Sequence, residues 1–183
     1  MQNDWAYLEG IFKGQPDLAK QLPQEDATFR QVDTVFNKEM ARIREIKKAY
    51  PALVDQVRDF MGTLNTLLTK LEVVQKKLHD LLAQKRSEFP RFFFLPNSDL
   101  LEIIGQTKDP NPINRHIGKI FEGINTFVAK GGNKGSSVWH IEKVVSADKE
   151  ELDLGSQLYV EVTNKVEYWL KDLERNVQDA LKK

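Results

Sequence analysis

The sequence predicts a mainly α fold: an elongated helical bundle with one long helix of about 35 residues and a small antiparallel β-hairpin or meander insertion. Three observations predict it. Apolar residues recur every three or four positions over most of residues 5–124 and again over 166–181. Leu53, Val57, Phe60, Leu64, Leu67, Leu71, Val74, Leu78 and Leu81 are spaced 4-3-4-3-4-3-4-3, and no proline interrupts residues 52–89. Only between about 124 and 159 does the period fall toward two, around glycine-rich turns.

Taken in order, Trp5, Leu8, Ile11 and Phe12 lie at helical spacing with no polar lead-in or capping residue ahead of them. That opening predicts a stretch excised from a longer polypeptide. Gly14-Gln15-Pro16-Asp17 breaks this first helix, because glycine gives up helix propensity and proline lacks the amide donor. Asp17 is expected to cap a short turn to Leu22, and Pro23 sits where a first helical residue is tolerated. Phe29, Val32, Val35/Phe36, Met40, Ile43 and Ile46 then mark a second amphipathic helix. It should end near Tyr50, since Pro51 disfavours the α region at the residue before it.

The long helix follows, about 50 Å at 1.5 Å per residue. Its seam could be a coiled coil over four heptads. Met61, Leu68 and Leu82 widen the stripe, which favours one rib of a bundle with Leu64, Leu67 and Leu71 in the core.

At Phe89 the pattern changes. Phe89-Pro90-Arg91-Phe92-Phe93-Phe94-Leu95-Pro96 holds four of the ten phenylalanines. Proline at both ends prevents helix continuation, and the run between reads as extended. Alternation would place Phe92 and Phe94 on one core-facing side, with Phe89 also in the core, and Phe93 on the other side. A segment aromatic on both faces must be covered twice, the second time by something such as a neighbouring domain.

Asn97-Ser98-Asp99 supplies caps for a short helix through Ile104, with Gly105 as its stop. Asp109-Pro110-Asn111-Pro112 is a turn that starts another, striped by Ile113, His116/Ile117, Ile120/Phe121 and Ile124. Residues 138–144 alternate as a strand, Gly131–Ser136 reads as a hairpin tip, and Ala147-Asp148-Lys149 as a second turn. Thr163/Asn164 should cap a last helix carrying Val166, Trp169/Leu170, Leu173, Val177 and Leu181, with Trp169 in the core. The resulting parts are a helical subdomain (1–90), the Phe-rich segment with short helices (91–123), the β insertion (124–159) and the C-terminal helix (160–183).

Charge argues against several functions. There are 27 basic and 27 acidic side chains, 14 and 13 of them in residues 1–90 and 13 and 14 in residues 91–183. A binder of nucleic acid or anionic membrane should show a basic excess somewhere, so neither partner is expected. The absence of cysteine excludes disulfides and thiolate metal sites. No apolar run is long enough to span a bilayer.

Catalytic motifs are also missing. Gly131-Gly132-Asn133-Lys134-Gly135-Ser136-Ser137 has the wrong residue order for a phosphate loop, and a strand follows where a helix is required. His79, His116 and His140 fall on three different elements, with no ligand pair at helical spacing. There is no serine-nucleophile elbow and no zinc-protease motif. Aromatics beside Arg91 could stack bases, but no basic patch surrounds them. No catalytic, cofactor-binding or metal-ligating residue is expected.

Lys85-Arg86-Ser87-Glu88-Phe89-Pro90-Arg91-Phe92-Phe93-Phe94-Leu95, followed by Asp99-Leu100-Leu101-Glu102-Ile103-Ile104-Gly105, resembles the signature of the dynein heavy chain linker region, N-terminal to the first ATPase module. Trp5-x-x-Leu8-Glu9-x-Ile11-Phe12 and Gln21-Leu22-Pro23-x-Glu25 upstream are similar to the family's pattern. So are Lys119-Ile120-Phe121-Glu122-Gly123-Ile124 and Val166-Glu167-Tyr168-Trp169-Leu170 downstream. The resemblance covers most of residues 5–173; residues 128–160 match in character only.

The resemblance implies a non-catalytic lever within a microtubule motor. The family's linker is an arch lying across a ring of six ATPase modules, and it bends as nucleotide in the first module changes. ATP and Mg would belong to the parent motor and not to this stretch. Its partner would be the ATPase ring of the same heavy chain, with the microtubule engaged only through the parent, and the excised chain would be monomeric. Arg91 and Phe93 are the expected ring contacts, and the Gly131–Ser136 tip is a further candidate. The resemblance also implies a cytoplasmic or cytoskeletal location. Gln21-Leu22-Pro23 and Phe93 point toward the type found in the cilium or flagellum axoneme. A competing reading, from another class, is a free-standing coiled-coil adaptor that grips a partner helix through Leu64, Leu67 and Leu71.

Overall fold

Helix dominates the computed structural model, which describes residues 1–46, 57–105, 109–131, 138–155, 159–161 and 165–182. The chain divides into two units, Met1–Leu81 and Leu82–Lys183. The division falls inside the long helix, a few residues before the Phe-rich run.

The first unit begins with α1 (Gln2–Gly14), α2 (Pro16–Gln21) and α3 (Pro23–Ile46). Leu8, Ile11 and Phe12 form the buried stripe of α1 and meet Leu18, Phe29, Val32 and Phe36 from the two helices after it. Phe12 stacks on Phe29 with ring centroids 5.4 Å apart. Trp5 leans on Phe36 and donates its indole N–H to Asp33 at 3.0 Å. Such a hydrogen bond is what a partly buried indole requires.

Asp17 does not cap α2. Pro16 occupies the first turn, where its fixed φ and missing donor are harmless, and Asp17 lies inside the helix, 2.7 Å from Lys20. The expected end of α3 at Tyr50 lies outside the described residues, as does Leu53.

The long helix, α4 (Val57–Glu88), has 32 residues. Leu67, Leu71, Val74 and Leu78 are buried and Leu64 is half-buried. Met61 and Val73 are exposed, so the upstream stripe is narrower than the sequence implies, while Leu82 continues it inward.

The second unit holds the end of α4 and then a 3-10 turn over Pro90–Phe94. This corrects the extended reading. Phe92 N–H donates to Phe89 O at 3.0 Å and Leu95 N–H to Phe92 O at 3.2 Å, so the local period is three. Phe89, Phe92 and Leu95 therefore point the same way, with exposures of 1%, 0% and 2%. Phe94, expected in the core, is 69% exposed together with Phe93. Proline at the first position of the turn is the physical reason, because its fixed φ suits a helical turn as well as an extended run.

Next come α5 (Asn97–Gly105), a second 3-10 turn (Asn111–Ile113) and α6 (Asn114–Ile120). Asp109 Oδ1 accepts the Asn111 N–H at 2.9 Å, which fixes the entry to that turn. The expected helical stripe through Ile124 stops at Ile120, where Phe121 turns extended and Gly123 takes φ +86°.

A four-stranded antiparallel sheet follows: β1 (Thr126–Gly131), β2 (Val138–Val145), β3 (Glu151–Asp153) and β4 (Tyr159–Glu161). β2 is central. β1 runs along one side of it, with Ala129 opposite Ile141 and a bulge after Val128. The other side is shared, β4 pairing with Val138–His140 and β3 with Lys143–Val145. Two short strands thus fill one lane, which is why the sequence shows only two or three strand signals. Residues 132–137, most of the expected hairpin tip, lie outside the described residues.

The last helix, α7 (Val166–Leu181), starts after Lys165, and the expected caps Thr163 and Asn164 lie outside the described residues. Trp169 is buried and meets Phe127 edge-on at 5.8 Å. The core of the second unit thus draws on both 3-10 turns, α5, α6, the sheet and α7.

Candidate functional site

The 3-10 turn is held from behind by two arginines. Arg86, in the last turn of α4, donates through Nη2 to Leu95 O at 3.0 Å and Asn97 Oδ1 at 2.9 Å. Its Nε reaches Phe92 O at 3.4 Å, and the guanidinium lies 6.0 Å from the Phe93 ring centre. Arg91 points the other way. Its Nε donates to Glu174 Oε1 at 2.9 Å, Nη1 donates to Ile120 O at 3.3 Å, and the guanidinium sits 5.0 Å above the Phe121 ring. Planar, multi-donor geometry of this kind is what arginine supplies and lysine does not.

Of the two expected contact residues, then, Arg91 is engaged within its own unit, tying the turn to α6 and α7. Phe93 stands outside beside Phe94, each 69% exposed. Two adjacent exposed phenylalanines on a pinned turn form an apolar projection of the kind that marks a contact point. Of the remaining expected core residues, Phe89, Phe92, Leu67, Leu71 and Trp169 are buried and Leu64 is half-buried.

Behind the turn lies a polar cluster that sequence reasoning missed. Lys85 is 3% exposed and Glu167, in the first turn of α7, is 1% exposed. The Lys85 ammonium bonds the Glu167 carboxylate directly and has Glu88 Oε2 at 3.5 Å. A signal was available: Lys85 follows Leu78 and Leu82 on the apolar stripe, and Glu167 sits between Val166 and Trp169/Leu170. A charged residue in register with an apolar stripe must find a buried partner.

The three histidines do not converge. His79 is exposed and His140 half-buried on β2. His116 is buried between Asp99 Oδ2 at 3.4 Å and Glu102 Oε2 at 3.1 Å. Among the described residues no group of three or more His, Cys, Asp or Glu is arranged to hold a metal ion. Nor is any described helix long and apolar enough to cross a membrane.

Asp99 links α5 to α6. The hydrogen bond from Lys119 Nζ, at 2.6 Å, holds its carboxyl below the usual carboxylate range, against the opposing effect of burial; the charges of Lys119 and His116 add to the lowering. A carboxylate depressed by folding stabilises the fold above its unfolded pKa and loses that contribution as pH falls through the folded value. Because the Lys119 side chain is more than half exposed and its attraction is screened by water, Asp99→Asn is expected to lower stability at pH 7 by no more than about 1 kcal/mol. It should change stability little at a pH below the folded value. Urea unfolding at neutral and strongly acidic pH checks both.

The sequence is similar to known proteins over its whole length. The family model described as "Dynein heavy chain, N-terminal region 2" matches residues 1–183. The chain is 36% identical over 187 residues to "Dynein axonemal heavy chain 2" of Homo sapiens, covering 100% of this chain and 4% of that one. It is 37% identical over 186 residues to "Cytoplasmic dynein 2 heavy chain 1" of Mus musculus, again 100% of this chain and 4% of the relative. Identity to "Dynein-1-beta heavy chain, flagellar inner arm I1 complex" of Chlamydomonas reinhardtii is 35% over 174 residues, 95% of this chain and 4% of the relative. The chain thus spans about one twenty-fifth of the length of these relatives. With the match running from the first residue to the last, the chain belongs to the dynein heavy chain family, as its N-terminal region 2.

Proposed function

We propose that this chain is a mechanical linker segment of a dynein heavy chain, transmitting movement and performing no chemistry of its own. The observation that carries the reading is the exposed Phe93–Phe94 pair on a turn braced by Arg86 and Arg91. An apolar projection held by a stiff backing is suited to docking on a surface and being released from it. The 32 residues of α4 support the same reading, because a continuous helix of about 48 Å resists extension along its axis.

In this reading ATP and Mg are bound by ATPase modules elsewhere in the parent chain. The ATPase ring of that chain is the direct partner, met by Phe93 with Arg91 positioning the turn. The microtubule is engaged through the parent, neither nucleic acid nor membrane is a partner, and the excised chain is monomeric. The names of the relatives, axonemal, flagellar and cytoplasmic dynein 2, support a cytoskeletal location in the cilium or flagellum. A free-standing coiled-coil adaptor is disfavoured, because Leu67 and Leu71, which would grip the partner helix, are buried in the first unit.

Phe93→Ala in the parent motor tests the proposal. Microtubule gliding should slow clearly, while folding stability changes by no more than about 0.5 kcal/mol, as expected for an exposed side chain. A large stability loss with normal gliding per folded motor would contradict it.

A further inference from the structure

The two halves of α7 are held very differently. Val166, Glu167, Trp169, Leu170 and Leu173 bury the first half. From Glu174 to Leu181 every residue is half-buried or exposed. Sequence adds little to hold this second half in a helix, because Asn176, Val177 and Asp179 all have low helix propensity. The Asn176 side chain also donates to Asp172 O at 2.8 Å, the carbonyl that its own backbone N–H needs in an α-helix.

Two ion pairs tie α7 to the stretch that ends α4 and forms the Phe-rich turn. Glu167 and Glu174 lie two turns apart on one face of α7 and meet Lys85 and Arg91 respectively. The pairs are unequal. Side-chain exposures are 4% and 2% for Lys85 and Glu167, against 36% and 28% for Arg91 and Glu174. Water and salt therefore weaken the second pair far more than the first. Among the described residues, Arg91–Glu174 is the one side-chain bond from residues 174–181 to another element; Arg175–Asp172 and Lys182–Asp179 run along α7 itself. Arg91 does not depend on Glu174, since it also donates to Ile120 O and covers the Phe121 ring.

We propose that residues 174–181 form a strap that opens by local unfolding, with Arg91–Glu174 as its clasp, while residues 166–173 stay anchored through Lys85–Glu167. Local opening has its lowest cost where few apolar side chains are buried, and that is the condition past Leu173. When the clasp opens, Arg91 keeps Ile120 and Phe121, so the turn stays folded on α6. A contact at Phe93–Phe94 that draws Arg91 off Glu174 opens the strap, and by linkage an open strap favours that contact. This consequence rests on the docking reading above; the strap itself rests on the two unequal ion pairs.

Residue-resolved amide exchange, followed by NMR on the 183-residue chain, tests the strap. Glu174→Gln at low salt should speed exchange of the 174–181 amides about threefold to fivefold, the worth of one partly exposed ion pair. Amides 170–173 should keep their rates, as should the Leu95 N–H, which donates to Phe92 O within the turn. Raising salt should speed the same 174–181 amides in the starting protein and add little in Glu174→Gln. Three results would each overturn the proposal. The first is unchanged exchange over 174–181 in Glu174→Gln. The second is equal acceleration over 170–181, which would make α7 a single body. The third is acceleration of the Leu95 N–H together with the strap, which would make the turn part of it.

Discussion

Lys85→Met is expected to destabilise the second unit by about 3–5 kcal/mol, the penalty for leaving a buried carboxylate without its cation. Glu167 is 1% exposed, so its carboxylate has little water around it to replace the lost ammonium. Glu88, one turn along α4, cannot substitute, being itself a carboxylate facing the same ammonium. Urea unfolding followed by tryptophan fluorescence, in a Trp5→Phe background, isolates the second unit because Trp139 and Trp169 both belong to it. Lys85→Met combined with Glu167→Leu should recover most of the loss, since a well-packed apolar pair can replace a buried ion pair with little penalty. That non-additivity is the signature of a direct interaction. A single variant within about 0.5 kcal/mol of the starting protein would mean the cluster is solvated and does not anchor α7 to α4.

The second large effect distinguishes two side chains in one aromatic run. Phe92→Ala should remove about 3–5 kcal/mol, through lost burial and the cavity left against Phe89. Phe92 is 0% exposed, and its ring meets Phe89 edge-on at 5.0 Å. Phe94→Ala should change stability by no more than about 0.5 kcal/mol. A two-residue period would make both substitutions costly, whereas the three-residue period of the 3-10 turn makes only the first so. Denaturant unfolding of the two variants side by side decides between them; comparable losses would restore the extended reading.

How much was legible in the sequence depends on the range of the deciding interaction. Helices with unbroken stripes, α1, α3, α4 and α7, are visible because burial of one face and helical period are the same signal. The β insertion is visible for the same reason at period two. The Phe-rich turn is not legible, because proline and aromatic residues are shared by extended and 3-10 segments, and five residues are too few for the period to show. Arg91 has its acceptor on Glu174, 83 residues away, so nothing in its neighbourhood announced an internal role. Lys85 and Glu167 are 82 residues apart and equally silent as a pair, although each violates the stripe it sits on. The exposed Phe93–Phe94 pair follows once the turn's period is known. The end of α7 is different: Val177 and Leu181 look like core positions in sequence, and only the structure shows Val177 half-buried and Leu181 exposed.

The proposed lever would move when nucleotide changes elsewhere in the heavy chain. The most direct measurement places a donor fluorophore at exposed Met61 by an unnatural amino acid, and an acceptor at a fixed point on the ATPase part of the parent heavy chain. Energy transfer is then compared between the ATP-bound and ADP-bound motor. A lever that docks and releases should give two distinct efficiencies that interconvert with turnover, and the Phe93→Ala/Phe94→Ala variant should lose one of them. A single unchanged efficiency in every nucleotide state, in a motor that still glides at normal speed, would contradict it.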